Sequence, residues 1–168
     1  MFLKNEYVFY ASGGICRIED VCIAPLDGMP KDRLYYVMHP IHDRNSVMYI
    51  PVDSDRVFLR RLMTREEAEE LVERIPYITA INEPNSKLLR EKYNEAMKTH
   101  EPLDWVRVIK TVYLRANEAG TPSRRISETE RNFAETARKY LYSELSLALD
   151  VPENGMEQYI TESVEKNA

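Results

Sequence analysis

The sequence predicts an α+β chain in which a small antiparallel β-barrel of the SH3-like type precedes an all-helical domain. β-Branched and aromatic residues cluster in short runs over residues 1–60, and from residue 64 onward apolar residues recur at three- and four-residue steps. Short strands at close spacing, with no helix between them, are typical of a small curled sheet or barrel. We therefore expect a β domain over residues 1–63, a helix and linker over 64–84, and a helical domain over 85–168.

Five short strands are predicted in the first domain, separated by turn-forming residues. In the second strand, Cys16, Ile18 and Cys22 alternate with charged residues, so Cys16 and Cys22 are expected on one face as small core residues. An extended strand would hold the two thiols about 20 Å apart, which argues against a redox pair. The predicted strands cover residues 7–10, 15–23, 34–39, 47–52 and 57–60.

Two sequences are typical of a capping box, in which a hydroxyl residue and a glutamate three positions later exchange hydrogen bonds at the start of a helix. They are Thr64 with Glu67 and Ser127 with Glu130. Asn85 is expected to cap another helix. Trp105 lies in an apolar stripe, so core packing is favoured over stacking on a nucleic-acid base. The predicted helices run over about 64–75, 85–99, 102–120, 127–151 and 156–164.

Composition and charge exclude several classes of protein. No apolar run approaches the about 20 residues needed to span a bilayer, and the N-terminus lacks a basic region followed by an apolar one, so we expect a cytoplasmic protein. The net charge of −5 argues against a protein that simply coats nucleic acid. Residues 86–125, however, carry nine Lys and Arg against five Asp and Glu. That stretch forms either one cationic face or merely the solvated sides of helices.

Patterns that support catalysis are missing from the sequence. No glycine-rich loop precedes a helix and lysine in the way that phosphate binding requires, and no Gly-x-Ser-x-Gly segment is present. His39 and His42 lie near Asp43, but metal sites usually show three or four clustered ligands, which favours a surface histidine. We therefore predict a protein that is not an enzyme and has no cofactor, metal or small-molecule substrate.

Two features favour recognition of macromolecules. Residues 47–51 are apolar on both faces and end in a proline, which is typical of an edge strand that pairs with another protein. The alternative is a buried strand that merely ends at the proline. The basic stretch also supplies candidates for salt-sensitive contacts with phosphates, which are Lys87, Arg90, Lys92, Lys98, Arg107, Lys110, Arg124 and Arg125.

Motifs at both ends of the chain resemble the CarD/CdnL family of bacterial RNA polymerase-binding transcription regulators. Residues 5–18 follow the family's opening pattern Gly-Asp-x-Val-x-Tyr-Pro-x-x-Gly-x-Gly-x-Ile, with the Gly-Asp and the Pro among the replaced positions. The Tyr-Tyr-Val and Ile-Pro-Val elements recur at residues 35–37 and 50–52. Near its other end the family has Ser-x-x-Glu, followed after several residues by Ala-Arg and then Leu-x-x-Glu-Leu. This second pattern is present here as Ser127, Glu130, Ala137, Arg138, Leu141, Glu144 and Leu145.

The resemblance implies a Tudor-like domain, related to that of the transcription-repair coupling factor, that docks on the RNA polymerase β subunit through an edge strand. The helical domain would then contact promoter double-stranded DNA near the upstream edge of the −10 element and modulate open-complex stability. Such a protein is associated with the nucleoid through polymerase. The polymerase contacts map onto Val47, Met48, Tyr49, Ile50 and Pro51, and the DNA contacts onto Asn85, Ser86, Lys87, Arg90, Lys92, Arg124 and Arg138.

One position departs from the family pattern. The family typically carries a tryptophan just before the basic helix, where an apolar wedge unstacks bases in the minor groove. Here Asn85 or Ser86 occupies that place. An alternative function is therefore a polymerase- or protein-interaction module that has lost DNA binding. Arg138 also has an alternative role, since it can pair with Glu135 or support helix packing.

Overall fold

The computed structural model describes residues 1–118 and 126–167, and the chain divides into two compact units, Met1–Leu62 and Met63–Ala168. The first unit is a five-stranded antiparallel sheet in the order β4-β3-β2-β1-β5. This arrangement, followed by helices, confirms the predicted fold class. The strands are β1 (Tyr7–Tyr10), β2 (Gly14–Ile23), β3 (Leu34–Pro40), β4 (Met48–Pro51) and β5 (Leu59–Arg61).

A β-bulge in β2 changes which side chains face the core of the sheet. The β2–β3 register shifts between Ile18 and Asp20, which inserts one extra residue and reverses the alternation of faces beyond it. Cys16 and Ile18 are fully buried in the sheet core, and Val21 packs against that core. The prediction that Cys16 and Cys22 share a face is therefore wrong, because it assumed an unbroken strand. Cys16 is the small core residue that was expected.

The turn between β1 and β2 depends on its two glycines. Gly14 has a φ of 72°, in the left-handed region that L side chains rarely adopt. A Cβ atom added at Gly13 would lie 2.8 Å from Cδ1 of Tyr10, closer than packing allows. The backbone conformation at Gly14 and the lack of space at Gly13 therefore explain why both positions are glycine.

The second unit is helical. After the helix over Arg65–Arg74, a short 3-10 turn at Ile75–Tyr77 includes the proline that is predicted to end that helix. Asn85 caps the next helix by accepting a hydrogen bond from the Leu88 N–H at 3.0 Å, as predicted. The helices are α1 (Arg65–Arg74), α2 (Ser86–Lys98), α3 (Pro102–Ala116), α4 (Glu128–Leu149) and α5 (Met156–Lys166), with a second 3-10 turn at Glu153–Gly155.

The two predicted capping boxes have different outcomes. At α1, the Glu67 N–H donates to Thr64 Oγ1 at 3.2 Å and the Thr64 N–H donates to Glu67 Oε2 at 2.9 Å, which confirms the first box. At α4, the Glu130 N–H donates to the Ser127 hydroxyl at 3.1 Å, but the Glu130 carboxylate is bound by Arg115 instead of the cap. The second box is therefore only half formed.

The core of the helical unit lies between α3, α4 and the helices packed on them. Trp105 is fully buried, and its ring centroid lies 5.6 Å from that of Tyr140, which confirms core packing. Arg65 ties α1 to the end of α4 by donating to the Leu149 carbonyl at 3.1 Å. None of the described helices is both long enough and apolar enough to cross a membrane. The fully buried side chains include Ala68, Tyr93, Trp105, Val108, Ala137, Leu145 and Met156.

Candidate functional site

Strand β4 lies at one end of the sheet order, so one of its flanks is a sheet edge. It pairs antiparallel with β3, with Met38 opposite Met48 and Tyr36 opposite Ile50. Among the described residues, no other strand pairs with β4. This topology confirms the predicted edge strand, and the half-buried state of all four residues contradicts the alternative of a buried strand that merely ends at the proline.

Hydrogen-bond alternation identifies which backbone groups of β4 point outward. The Val52 N–H donates to the Leu34 carbonyl at 3.0 Å, which makes residues 52, 50 and 48 the positions bonded to β3. The N–H and carbonyl of Tyr49 therefore point away from the sheet. Pro51 has no N–H, and its carbonyl accepts from the Ser54 N–H at 3.1 Å. We call the outward backbone of this strand the β4 edge; its one residue with both groups available is Tyr49.

A cavity of about 430 Å³ in the helical unit brings together part of the predicted DNA site. The first two turns of α2 contribute Ser86, Lys87 and Arg90, and the start of α4 lies across the cavity. Lys87 and Arg90 are exposed and form no ion pair or side-chain hydrogen bond with any described residue. We call this the α2 cavity. It is lined by Ser86, Lys87, Leu89, Arg90, Tyr93, Arg115, Ser127, Thr129, Glu130 and Phe133.

Among the described residues that line the α2 cavity, the one carboxylate is that of Glu130, and it is neutralised within the fold. Arg115 donates to both oxygens of Glu130, at 3.0 Å and 3.2 Å. The Tyr93 hydroxyl donates to the same carboxylate at 3.5 Å. Burial raises the pKa of Tyr93, and the negative charge of Glu130 raises it further, so the phenol stays protonated. The cavity therefore keeps a surplus positive charge from Lys87 and Arg90.

The start of α2 adds polar groups to the same cavity. The Asn85 side-chain oxygen is used by the helix, because it accepts from the Leu88 N–H. Ser86 is exposed at the first helical position. The N-termini of α2 and α4 both open on this cavity, and the partial positive charge of a helix N-terminus favours anions. Asn85 is thus a structural cap at the place where the family pattern has an aromatic wedge.

The remaining predicted DNA contacts do not converge on the α2 cavity. Lys92 lies about 200° around the helix axis from Arg90 and lines a separate cavity with Glu95 and Asp104. Arg138 lines an apolar groove with Tyr142 and Glu157, two turns further along α4. Arg124 lies outside the described residues. Of the seven predicted positions, Ser86, Lys87 and Arg90 thus line the α2 cavity, and Asn85 adjoins it as the cap of α2.

Two of the predicted phosphate contacts bind the protein's own backbone instead. Lys110 donates from its ammonium to the carbonyls of Ile75, Pro76 and Ile78, at 2.9, 3.0 and 2.8 Å. Arg107 donates to the Thr79 carbonyl at 3.3 Å and pairs with Asp104. These contacts satisfy backbone carbonyls where α1 ends. Sequence spacing gives no signal for them, since the carbonyls come from a segment about 30 residues away.

His39 has the surroundings of a structural residue. Its Nδ1 bonds to the Ser46 carbonyl at 2.9 Å, and its Nε2 bonds to the Glu19 carboxylate. Both ring nitrogens are therefore occupied by partners within the sheet unit. Among the described residues, no three His, Cys, Asp or Glu side chains are grouped so that they hold a metal ion.

Comparison with known domain families accounts for most of the chain. Residues 2–63 match the CarD-like/TRCF RID domain, and residues 81–161 match the CarD, C-terminal domain. A search of curated proteins finds no match. The two domain matches confirm the resemblance that the motifs at residues 5–18 and 127–145 carry.

Proposed function

Because the chain belongs to the CarD family, whose domains interact with RNA polymerase to regulate transcription without enzymatic activity, we propose that it docks on the polymerase β subunit and contacts promoter DNA. The DNA contact is near the upstream edge of the −10 element, and its effect is a change in the stability of the open complex. The observation that carries the proposal is that the first unit has a free sheet edge and the second unit has a cationic cavity.

The polymerase contact is assigned to the β4 edge. A free strand edge binds a partner by main-chain hydrogen bonds, and alternate side chains give selectivity. Tyr49 supplies the outward N–H and carbonyl, and the half-buried side chains of Met48 and Ile50 pack against the sheet core beneath it. Val47, which is 42% exposed, extends this surface toward the preceding loop.

The DNA contact is assigned to the α2 cavity. Lys87 and Arg90 are free to lie along phosphates, and the adjoining helix N-termini favour the same anions. Contacts of this kind are independent of sequence and weaken steeply with salt. Tethering to polymerase raises the local concentration of the helical unit, so a few phosphate contacts suffice despite the net charge of −5.

An alternative function is a polymerase-binding module without DNA contact. The capping role of Asn85 favours it, because the family's aromatic wedge is replaced by a polar side chain that the helix itself uses. Loss of the wedge removes base unstacking but leaves the phosphate contacts of Lys87 and Arg90 in place. The two functions therefore differ in whether Lys87 and Arg90 contribute to the binding of promoter DNA.

The test compares wild type with Lys87→Glu/Arg90→Glu in two assays, binding to RNA polymerase and lifetime of the polymerase–promoter open complex after heparin challenge. We expect the double reversal to leave polymerase binding unchanged and to reduce the effect on open-complex lifetime about tenfold. Loss of both activities together would contradict the assignment of the two contacts to separate units.

Single substitutions on α2 provide a matched comparison. Arg90→Glu and Lys92→Glu change the charge equally, two residues apart, but only Arg90 lines the α2 cavity. We expect Arg90→Glu to have the larger effect on open-complex lifetime. If wild type binds polymerase and neither change alters salt-dependent retention on promoter DNA, the interaction module without DNA contact is the function.

A further inference from the structure

The face of the sheet opposite its core carries a cavity of about 500 Å³. It is formed where β1, β2 and β3 meet the loop that leads into β4. Its polar side chains are mainly basic, although the first 85 residues of the chain have more acidic than basic side chains. We call it the sheet pocket. Its lining residues are Tyr7, Arg17, Glu19, His39, Pro40, Ile41 and Arg44.

Arg17 is held at the pocket by a neutral partner. Its Nη2 donates to Oδ1 of Asn5 at 2.7 Å. Asn5 has a φ of 73°, a left-handed conformation, and its own N–H donates to the Ile18 carbonyl at 2.7 Å. A non-glycine residue in this conformation indicates that the surrounding structure imposes it. Because the amide carries no charge, the guanidinium of Arg17 keeps its full positive charge.

The one carboxylate of the pocket already has a partner. Glu19 is bound by Nε2 of His39, which lies opposite Arg17 in the β2–β3 register. Arg44 makes no ion pair or side-chain hydrogen bond with any described residue. The neighbouring Asp43 is occupied by its own loop, where it accepts from the Ser46 hydroxyl and from the Asn45 N–H, and these bonds lower its pKa. Neither Arg17 nor Arg44 therefore has an ion-pair partner among the described residues.

We propose that the sheet pocket receives a carboxylate side chain from an acidic segment of the protein that pairs with the β4 edge. The inference rests on the proposed docking to polymerase and adds a second, charge-specific contact to it. The pocket and the β4 edge are joined, because His39 bonds the Ser46 carbonyl at 2.9 Å, two residues before β4 begins. Arg44 precedes the start of β4 by four residues, so the acidic group belongs to the part of the partner that continues past the Met48 end of β4 and crosses the loop onto this face of the sheet.

An acidic peptide fits the pocket better than nucleic acid does. Pro40 and Ile41 add apolar surface to the pocket beside the arginines, and Glu19 also lines it. A single carboxylate can bind a guanidinium in the bidentate manner without meeting Glu19. A phosphate backbone brings continuous negative charge across that glutamate, which is unfavourable.

The test measures the dissociation constant of the full chain for RNA polymerase at several salt concentrations. Arg44→Glu and Arg17→Glu each place a carboxylate in the pocket, and we expect each to weaken binding about tenfold, with a smaller salt dependence than wild type. Lys31→Glu is the matched control, since Lys31 is exposed in the loop before β3 and does not line the pocket. It should bind within about twofold of wild type.

A fourth variant tests the positioning of Arg17. Asn5→Gly accepts the left-handed φ but removes the oxygen that holds Arg17, so we expect about threefold weaker binding with an unchanged thermal midpoint. If wild type does not bind polymerase, the proposed function itself fails and this inference with it. If wild type binds and the arginine variants match Lys31→Glu, only the inference is overturned. Loss of promoter-DNA retention at unchanged polymerase affinity would also overturn it.

Discussion

Arg115 and Glu130 form a bidentate ion pair that joins the last turn of α3 to the first turn of α4, with N–O distances of 3.0 and 3.2 Å. The chain between them includes the residues that lie outside the described part of the structure. The ion pair therefore holds the end of α3 against the start of α4 directly, without any contribution from the residues between them. It also explains why the Glu130 carboxylate leaves the capping box that its sequence predicts.

Glu130→Gln should destabilise the helical unit and at the same time strengthen its attraction for anions. We expect the free energy of unfolding to fall by about 1–2 kcal/mol, because a charged, partly buried hydrogen-bonded pair is lost. The freed guanidinium of Arg115 adds one positive charge to the α2 cavity. Urea denaturation measures the first effect, and the salt dependence of DNA binding measures the second.

Glu128→Gln is the control for this change, since Glu128 lies in the same first turn of α4 but does not line the α2 cavity. It should lower stability by less than about 0.5 kcal/mol. Equal destabilisation by both variants would mean that the helix dipole, and not the pair with Arg115, accounts for the role of Glu130.

Lys110→Met should lower stability without changing DNA binding. The ammonium donates to three carbonyls at the end of α1, so its three donors are already used and none is left for a phosphate. Loss of these bonds should cost about 1–3 kcal/mol in the free energy of unfolding, measured in urea. The slope of DNA affinity against salt should match that of wild type, whereas Lys87→Met should reduce it by about one. A reduced slope for Lys110→Met would contradict the structural role.

These contacts show which parts of the molecule the sequence can predict. Periodicity and caps identify the fold class and all five helices, because those signals are local, whereas the pattern of residues 47–51 leaves an edge strand and a buried strand open until the strand order is known. The partner of a cation is not local: Lys110 and Arg90 look alike in the sequence, and only the structure shows that Lys110 binds carbonyls about 30 residues away. The bulge after Ile18 is likewise not predictable from local sequence, since it is defined by the pairing of β2 with β3.

The buried thiol of Cys16 should make the free energy of unfolding decrease as the pH rises above about 8.5. Burial raises the pKa of its thiol to about 11, so the folded protein retains a proton that an unfolded thiol loses above about pH 8.5. The folded state therefore binds more protons between about pH 8.5 and 11, and stability decreases there by at most about 1.4 kcal/mol per pH unit. Unfolding in urea at pH 7.5 and 10 should show this decrease in wild type and in Cys22→Val. Cys16→Val should show a smaller one, and equal slopes in all three proteins would contradict it.

Tyr49→Pro should separate binding at the β4 edge from the stability of the sheet. The Tyr49 N–H points away from β3, so a proline there removes an outward donor without breaking the β3–β4 ladder. Polymerase affinity should fall by about tenfold or more relative to Tyr49→Ala, which lacks the same side chain but keeps the N–H. The two variants should have similar thermal midpoints.

Ile50→Pro completes the comparison. The Ile50 N–H points toward Tyr36 in β3, so the same substitution one residue later removes a ladder hydrogen bond and should lower the thermal midpoint of the sheet unit. A Tyr49→Pro protein that binds polymerase as well as Tyr49→Ala would mean that the partner is held by side chains alone. The alternation of the strand, with adjacent residues facing opposite flanks, is what makes the two prolines distinguishable.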